Sequence, residues 1–222
     1  WLSMTSPSAI EQWIDQGQTV AARLLRRVRD NRAAACGTAE VAGLPPLDGP
    51  LLAQCLTGSD ADNFIARPTW QGRVYETTPL ARQREQALIV SSLERHGNGL
   101  MTRLLARLVE LAQIPAVLRR HLDQLDAAGG RVESEVLRTS EGVGLAQVEA
   151  ARGRLIHCVE VTRGLIRDYR ILAPTEWNFH PEGVLAQGFK SLQGTGADDL
   201  EWRCKLLINA VDPCVGYSLR LD

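Results

Sequence analysis

Apolar residues recur at spacings of three and four from Ile10 through Trp13, Ile14, Gly17, Val20, Ala21, Leu24 and Leu25 to Val28. That period predicts one amphipathic helix running to about Asn31. Ser8-Ala9-Ile10-Glu11, just after Pro7, has capping-box spacing for its start. Its polar face carries Arg23, Arg26, Arg27 and Arg29, a solvated face by default and a docking surface for an acidic partner as the alternative. Residues 43–79 hold five of the ten prolines and four glycines, which predicts a surface wrap with short helical pieces. Helical periodicity returns over 81–128, with Leu104, Leu105, Leu108, Leu111 and Ala112 as the buried stripe. Gly97-Asn98-Gly99 should break this stretch, Pro115 should kink or restart it, and Gly129-Gly130 should end it.

The period then changes to two. Residues 131–138, 144–150, 154–161 and 165–172 alternate or carry β-branched side chains, and Thr162-Arg163-Gly164 reads as a turn between the last two. An antiparallel meander follows. Residues 181–191 predict a short helix, and Asp198 should cap a last one in which Leu200, Cys204, Leu207, Ile208 and Val211 share a face. The fold class is α+β: a helical bundle beside a small antiparallel sheet, in one domain over 1–222.

Composition narrows the function classes. The 222 residues are 45% hydrophobic and 23% charged, with net charge -1. That balance gives no footprint for nucleic acid or an anionic membrane surface. No run of 18 apolar residues predicts a membrane span, and no charged-then-apolar leader is visible. Trp1-Leu2-Ser3 precede Met4, so a natural start at Met4 is expected, with 1–3 foreign. The five cysteines are an odd number without framework spacing, which fits a reduced, cytoplasmic protein.

Two of those cysteines sit in local turns far apart in the chain: Cys36 in Ala35-Cys36-Gly37-Thr38-Ala39, and Cys214 after Asp212-Pro213. Thiols held at fixed angles in this way predict a two-point clamp for a soft metal. The rival reading makes each an ordinary small apolar side chain. Cys158 and Cys204 fall on apolar faces and are expected to pack; Cys55 is expected to be inert. His157 is expected to support its strand by hydrogen bonding, and His96, His121 and His180 to be surface or structural residues.

Several stretches, in order, resemble the large subunit of [NiFe] hydrogenases. Cys36-Gly37-Thr38-Ala39 resembles that family's upstream Cys-Gly-x-Cys, and Asp212-Pro213-Cys214-Val215-Gly216-Tyr217-Ser218-Leu219-Arg220 its C-terminal Asp-Pro-Cys-x-x-Cys-x-x-His. Glu149-Ala150-Ala151-Arg152-Gly153-Arg154-Leu155-Ile156-His157 resembles Glu-Ala-Pro-Arg-Gly-x-Leu-x-His, and Pro174-Thr175-Glu176-Trp177-Asn178 resembles Pro-Thr/Ser-Thr-Trp-Asn. Residues 72–82 are more weakly similar to Glu-Val-Gly-Pro-Leu-Ala-Arg. The resemblance implies a large-subunit-like fold. It also implies that Cys36 and Cys214 are metal ligands, that Arg152 and Thr175 donate to two cyanides, with Thr175 simply closing a turn after Pro174 as the alternative, and that Asp212 orients Arg152 or caps a local amide. A plain salt bridge from Arg152 to Glu149 or Asp212 is the rival reading. Trp177 and Asn178 are expected to fix their loop, and Glu76 and Arg82 to act at a helix start.

The departures point away from catalysis. Ala39 and Tyr217 stand where the family has its second, bridging cysteines, and Arg220 stands for the terminal histidine. No Arg-Ile-Glu-Gly-His block is present. The resemblance therefore implies no nickel and no dinuclear centre. The mixture is similar to the HupK/HoxV-type hydrogenase maturation proteins, shortened relatives of the large subunit. What this implies is a non-catalytic scaffold that holds an Fe(CN)2(CO) unit transiently and passes it to the hydrogenase large subunit. A small HypC-like chaperone and other iron-ligand maturation factors would be its partners. A divergent hydrogenase-like redox subunit, or a metal-free interaction module recruiting maturation factors, are the alternatives.

Overall fold

A computed structural model describes residues 6–127, 137–140 and 142–221. The expected first helix is two: α1 (Pro7–Gln16) and α2 (Val20–Asp30). Gly17 takes a left-handed conformation (φ 59°) and ends α1, and Thr19 Oγ1 then accepts from the Ala22 amide to start α2. A left-handed glycine followed by a threonine cap is a stronger local signal than the apolar period that runs through it. Ser6, not Ser8, caps α1, with Pro7 as its first residue. The arginine face is partly used inside the pair. Arg26 donates to the Ile14 carbonyl, and Arg29 pairs with Glu11 and Asp15.

The wrap holds β1 (Ala42–Gly43), α3 (Gly49–Thr57), α4 (Ala61–Ala66) and β2 (Tyr75–Glu76), with β2 parallel to β1. Then come α5 (Pro79–Gln83), α6 (Ala87–His96) and α7 (Leu100–Ala127). The Gly97-Asn98-Gly99 break falls where expected. Pro115 does not restart the helix: α7 runs through it. Pro115 leaves the Leu111 carbonyl without an amide donor, and Leu111, expected in the core, is 61% exposed. Water therefore meets a need that would break a buried helix.

The sheet is a meander of β3 (Leu137–Ser140), β4 (Val143–Ala150), β5 (Gly153–Thr162) and β6 (Leu165–Leu172), antiparallel in that order. Gly129-Gly130 and most of the first expected strand lie outside the described residues. Arg163 and Gly164, both at positive φ, form the tight β5–β6 turn. Leu145, Ile156, Cys158 and Leu172 line one face and pack on α3 and Trp70. The chain continues as α8 (Pro174–Asn178), α9 (Val184–Lys190) and α10 (Ala197–Val211). Asp198 lies in the first turn of α10 rather than at its cap, and Asp199 folds back to accept from the Thr195 amide.

The described residues form two apolar cores. One gathers α1, α2, α6, the first half of α7, α9 and α10; the other joins the sheet to α3, Tyr75 and Trp177. The α+β expectation holds. Among the described residues no helix is long and apolar enough to cross a membrane.

His180 is buried beside Arg67, and burial first, then Arg67, holds its pKa below the usual histidine value. The native ring therefore stays neutral where the unfolded chain is protonated. Its contribution to stability is complete above the unfolded value near 6.5 and is lost as pH falls from there toward the folded value. Urea unfolding at roughly pH 7.5 and 5.5 should show this loss. It should shrink in His180→Asn, which keeps an acceptor for the Glu182 amide.

Candidate functional site

Three of the motif segments meet at one junction. The Thr77 amide donates to Asn178 Oδ1 (2.8 Å), Asn178 Nδ2 donates to the Arg152 carbonyl (3.3 Å), and the Arg154 amide donates to Thr77 Oγ1 (2.8 Å). Arg82 adds bonds to the Thr77 and Ala151 carbonyls and a bidentate pair with Glu110. Asn178 thus fixes its loop, as expected. Gly153 has φ 133°, and a Cβ there would run into Thr77. The β4–β5 turn that carries Arg152 is therefore seated against the β2–α5 turn.

Glu76 does not act at a helix start. It is buried and bound by Arg103 (2.7 and 3.3 Å) and by the Thr78 hydroxyl (2.6 Å). Arg82 likewise spends its charge on Glu110 of α7.

From this seat Arg152 reaches Asp212, with Nε 3.4 Å from Oδ2. Asp212 ends α10 at φ 66° and also binds Arg107 Nη2 at 3.2 Å. One carboxylate between two guanidiniums fixes the direction of each. The orienting role expected of Asp212 and the salt-bridge reading of Arg152 are the same contact. The Arg152 side chain keeps 43% of its exposure, so donors remain available. Sequence reasoning missed Arg107, whose partner lies far along the chain.

Thr175 sits in the first turn of α8. Its Oγ1 is buried and has no hydrogen-bond partner among the described residues; Glu176 Oε2 and Trp177 Nε1 nearby in sequence share that state. A buried hydroxyl without a partner costs about 1–3 kcal/mol, and an acceptor brought by a ligand would relieve it. A cyanide nitrogen, a buried anionic acceptor, fits this donor.

Cys36 closes a turn. Its amide donates to the Ala33 carbonyl, and its carbonyl accepts from the Leu100 amide. Gly37 (φ 74°) lies against Leu207 of α10. The sulfur accepts from Arg203 Nη1 at 2.9 Å, while the same guanidinium donates to Asp199 and to the Asn31 carbonyl. Burial alone would disfavour the Arg203 charge, but Asp199 and the Cys36 sulfur outweigh it, so its pKa is raised. The Asp199–Arg203 spacing on a helix was legible in sequence; the thiol it serves was not.

Cys214 is exposed beyond the Asp212-Pro213 corner, on a tail that brings Tyr217 near Lys205. The structure therefore joins Arg152 to Asp212 and gives the two thiols different surroundings, one under a guanidinium and one open. Among the described residues no three Cys, His, Asp or Glu side chains form a group that could hold a metal ion. A Cys36–Cys214 clamp would take its remaining ligands from its cargo or a partner.

The other candidates behave as packing residues. Cys158 and Cys204 are buried, and burial pushes both thiols up, as it does for half-buried Cys55. His157 Nδ1 bonds the Tyr169 hydroxyl at 2.6 Å across β5 and β6. Ala39 is held through its main chain. Its amide donates to Asn98 Oδ1, and its carbonyl accepts from Asn98 Nδ2.

Residues 39–219 match the nickel-dependent hydrogenase family model. Cys36 lies just before that span, and Arg152, Thr175, Asp212 and Cys214 lie within it. The hydrogenase expression/formation protein HoxV of Cupriavidus necator is 40% identical over 76% of this chain and 43% of its own length. HupK of Bradyrhizobium diazoefficiens, with the same description, is 33% identical over 86% of this chain and 56% of its own. The chain spans about half the length of the curated relatives it matches. Among solved structures, a NAD+-reducing [NiFe]-hydrogenase superposes with TM-score 0.53 at 21% identity, over 96% of this chain and 57% of that one. The fold is thus that of the hydrogenase large subunit, and the chain belongs to the nickel-dependent hydrogenase family.

Proposed function

We propose that the chain works in hydrogenase maturation as a non-catalytic scaffold. It holds an Fe(CN)2(CO) unit as cargo, receives it with a small HypC-like chaperone, and releases it to the hydrogenase large subunit. The observation that carries this reading is the buried, partnerless hydroxyl of Thr175. It is kept, with the oriented Arg152, in a chain that has Ala39 and Tyr217 at the two positions where bridging thiols are expected. Low-spin iron with strong-field ligands suits thiolate ligation, and Cys36 and Cys214 are the thiols assigned to it. Fewer protein thiolates make release easier than a four-thiolate cradle would.

Infrared spectra after anaerobic co-expression with the iron-ligand maturation factors test the reading. Cyanide and carbonyl bands are expected on the purified chain, and Cys36→Ser or Cys214→Ser should lower bound iron. Thr175→Val removes a hydroxyl that has no partner in the empty protein. Its folding stability should stay within about 1 kcal/mol of the parent or rise, while the cyanide bands weaken or shift. A chain without bands, under conditions that load the chaperone, would sink the cargo role.

A metal-free recruiting module is the second reading, favoured by the engagement of the Cys36 sulfur with Arg203. Partner complexes that survive loss of both cysteines, with no iron in either state, would select it.

A further inference from the structure

Cys36 and Arg203 are each held by other partners as well as by one another. The Cys36 amide donates to the Ala33 carbonyl, its carbonyl accepts from the Leu100 amide, and Gly37 next to it lies against Leu207. Arg203, buried on α10, donates through Nε to Asp199 Oδ2 at 2.9 Å and through Nη2 to the Asn31 carbonyl at 2.8 Å. Asp199 is fixed in turn by the Thr195 amide and hydroxyl. A planar guanidinium with two of its edges anchored has a set direction. Its Nη1 then points at the Cys36 sulfur, 2.9 Å away, a close approach for an atom as large as sulfur.

Neither charge nor packing requires this third bond. Arg203 already has its counter-ion in Asp199, one turn back on the same helix. The Asn31 bond already ties α10 to the end of α2. The sulfur does not need it either, because Cys36 is only half-buried and a thiol is a weak acceptor. What the bond adds is a fixed donor on one side of a sulfur whose residue keeps part of its exposure.

We propose that Arg203 is a positioning residue of the cargo site: it aims one N–H at the Cys36 sulfur and keeps that bond while the sulfur holds iron. The proposal rests on the cargo reading given above and adds a residue to it. A hydrogen bond to a ligating sulfur draws electron density away from it and weakens its donation to the metal. Cys36 thereby becomes a ligand that orients the iron unit and still lets it go. The engagement of the sulfur with Arg203 is then part of holding the cargo, not a competitor of it.

Infrared spectra test this on the whole chain, loaded by anaerobic co-expression with the iron-ligand maturation factors. Three forms are compared: the parent, Arg203→Lys, and Arg203→Leu combined with Asp199→Asn. The double change removes both members of the ion pair, so no charge is stranded and the local net charge is unchanged. Without the N–H on the sulfur, iron passes more density to its carbonyl, so the carbonyl band of the double variant should fall to lower wavenumber. Arg203→Lys keeps a donor, and its band should lie between the two. Loss of the bands to excess dithiothreitol, a competing dithiol, should slow about tenfold in the double variant. Thermal scans of the metal-free proteins separate this from a purely structural tie. A carbonyl band at the parent position in both variants, with only the melting midpoint lowered, overturns the proposal. If the double variant does not fold, the band of Arg203→Lys decides: unmoved, it overturns the proposal, and lowered, it supports it. A parent chain without cyanide and carbonyl bands would sink the cargo reading and this role with it. A parent with bands and unmoved variants sinks the role of Arg203 alone.

Discussion

Arg103→Met should cost about 3–5 kcal/mol of folding stability. Arg103 and Glu76 are almost wholly buried, with side-chain exposures of 1% and 2%, and among the described residues each is the other's only charged partner. Removing the guanidinium leaves a carboxylate in an apolar interior with one hydroxyl, that of Thr78, to bind it. In a chain of this size a kcal/mol moves the melting midpoint by about 2–4 °C, so a fall of roughly 10 °C is expected in a thermal scan. Replacing the whole network behaves differently. Arg103→Met combined with Glu76→Met and Thr78→Val should regain most of the loss, because no unpaired polar group stays buried. Parity between the single and triple variants would mean that the pair is hydrated, contrary to its burial. The network ties β2 to the first turns of α7, so it positions the turn that seats Arg152.

Gly153→Ala should cost about 2–5 kcal/mol, combining a disfavoured backbone conformation with overpacking. The obstacle is the Thr77 carbonyl as well as its side chain, and a main-chain atom cannot rotate away. Relief requires the β4–β5 turn to lift from the β2–α5 turn, which breaks the Arg154–Thr77 bond and carries Arg152 away from Asp212. Hydrogen exchange at the Arg154 amide should speed up well beyond what the loss of global stability explains. Gly164→Ala is the control. That glycine also has positive φ (77°), but nothing lies within 4 Å of the added methyl, so only the backbone cost of about 1–2 kcal/mol applies.

What was legible in the chain was what short-range chemistry decides. The change from a period of three and four to a period of two located the meander, and Arg163-Gly164 located its turn, because β4 and β5 bury Leu145, Ile156 and Cys158 on the side that faces α3. Gly17 and Thr19 were equally local, yet the apolar repeat through them hid the break. Pro115 misled for the opposite reason: its cost depends on whether the freed carbonyl is wet, which no local pattern reveals. The candidate residues followed the same division. Arg152, Thr175 and Asp212 were singled out through motifs, and two of them, Arg152 and Asp212, form an ion pair. Arg203, Arg107 and Arg103 were not found. Their partners Cys36, Asp212 and Glu76 are distant in sequence, and an arginine on a helix shows nothing of what its long side chain will reach.

Asn98 holds Ala39 by both its amide and its carbonyl, and touches nothing that depends on the side chain there. These two bonds are therefore independent of which residue occupies position 39, while the Ala39 methyl itself packs against the larger core. A thiol could be exchanged for a methyl, or restored, without rebuilding its support. The mount is fixed while the side chain it carries is a one-codon variable, and neither of the two bonds from Asn98 changes with it.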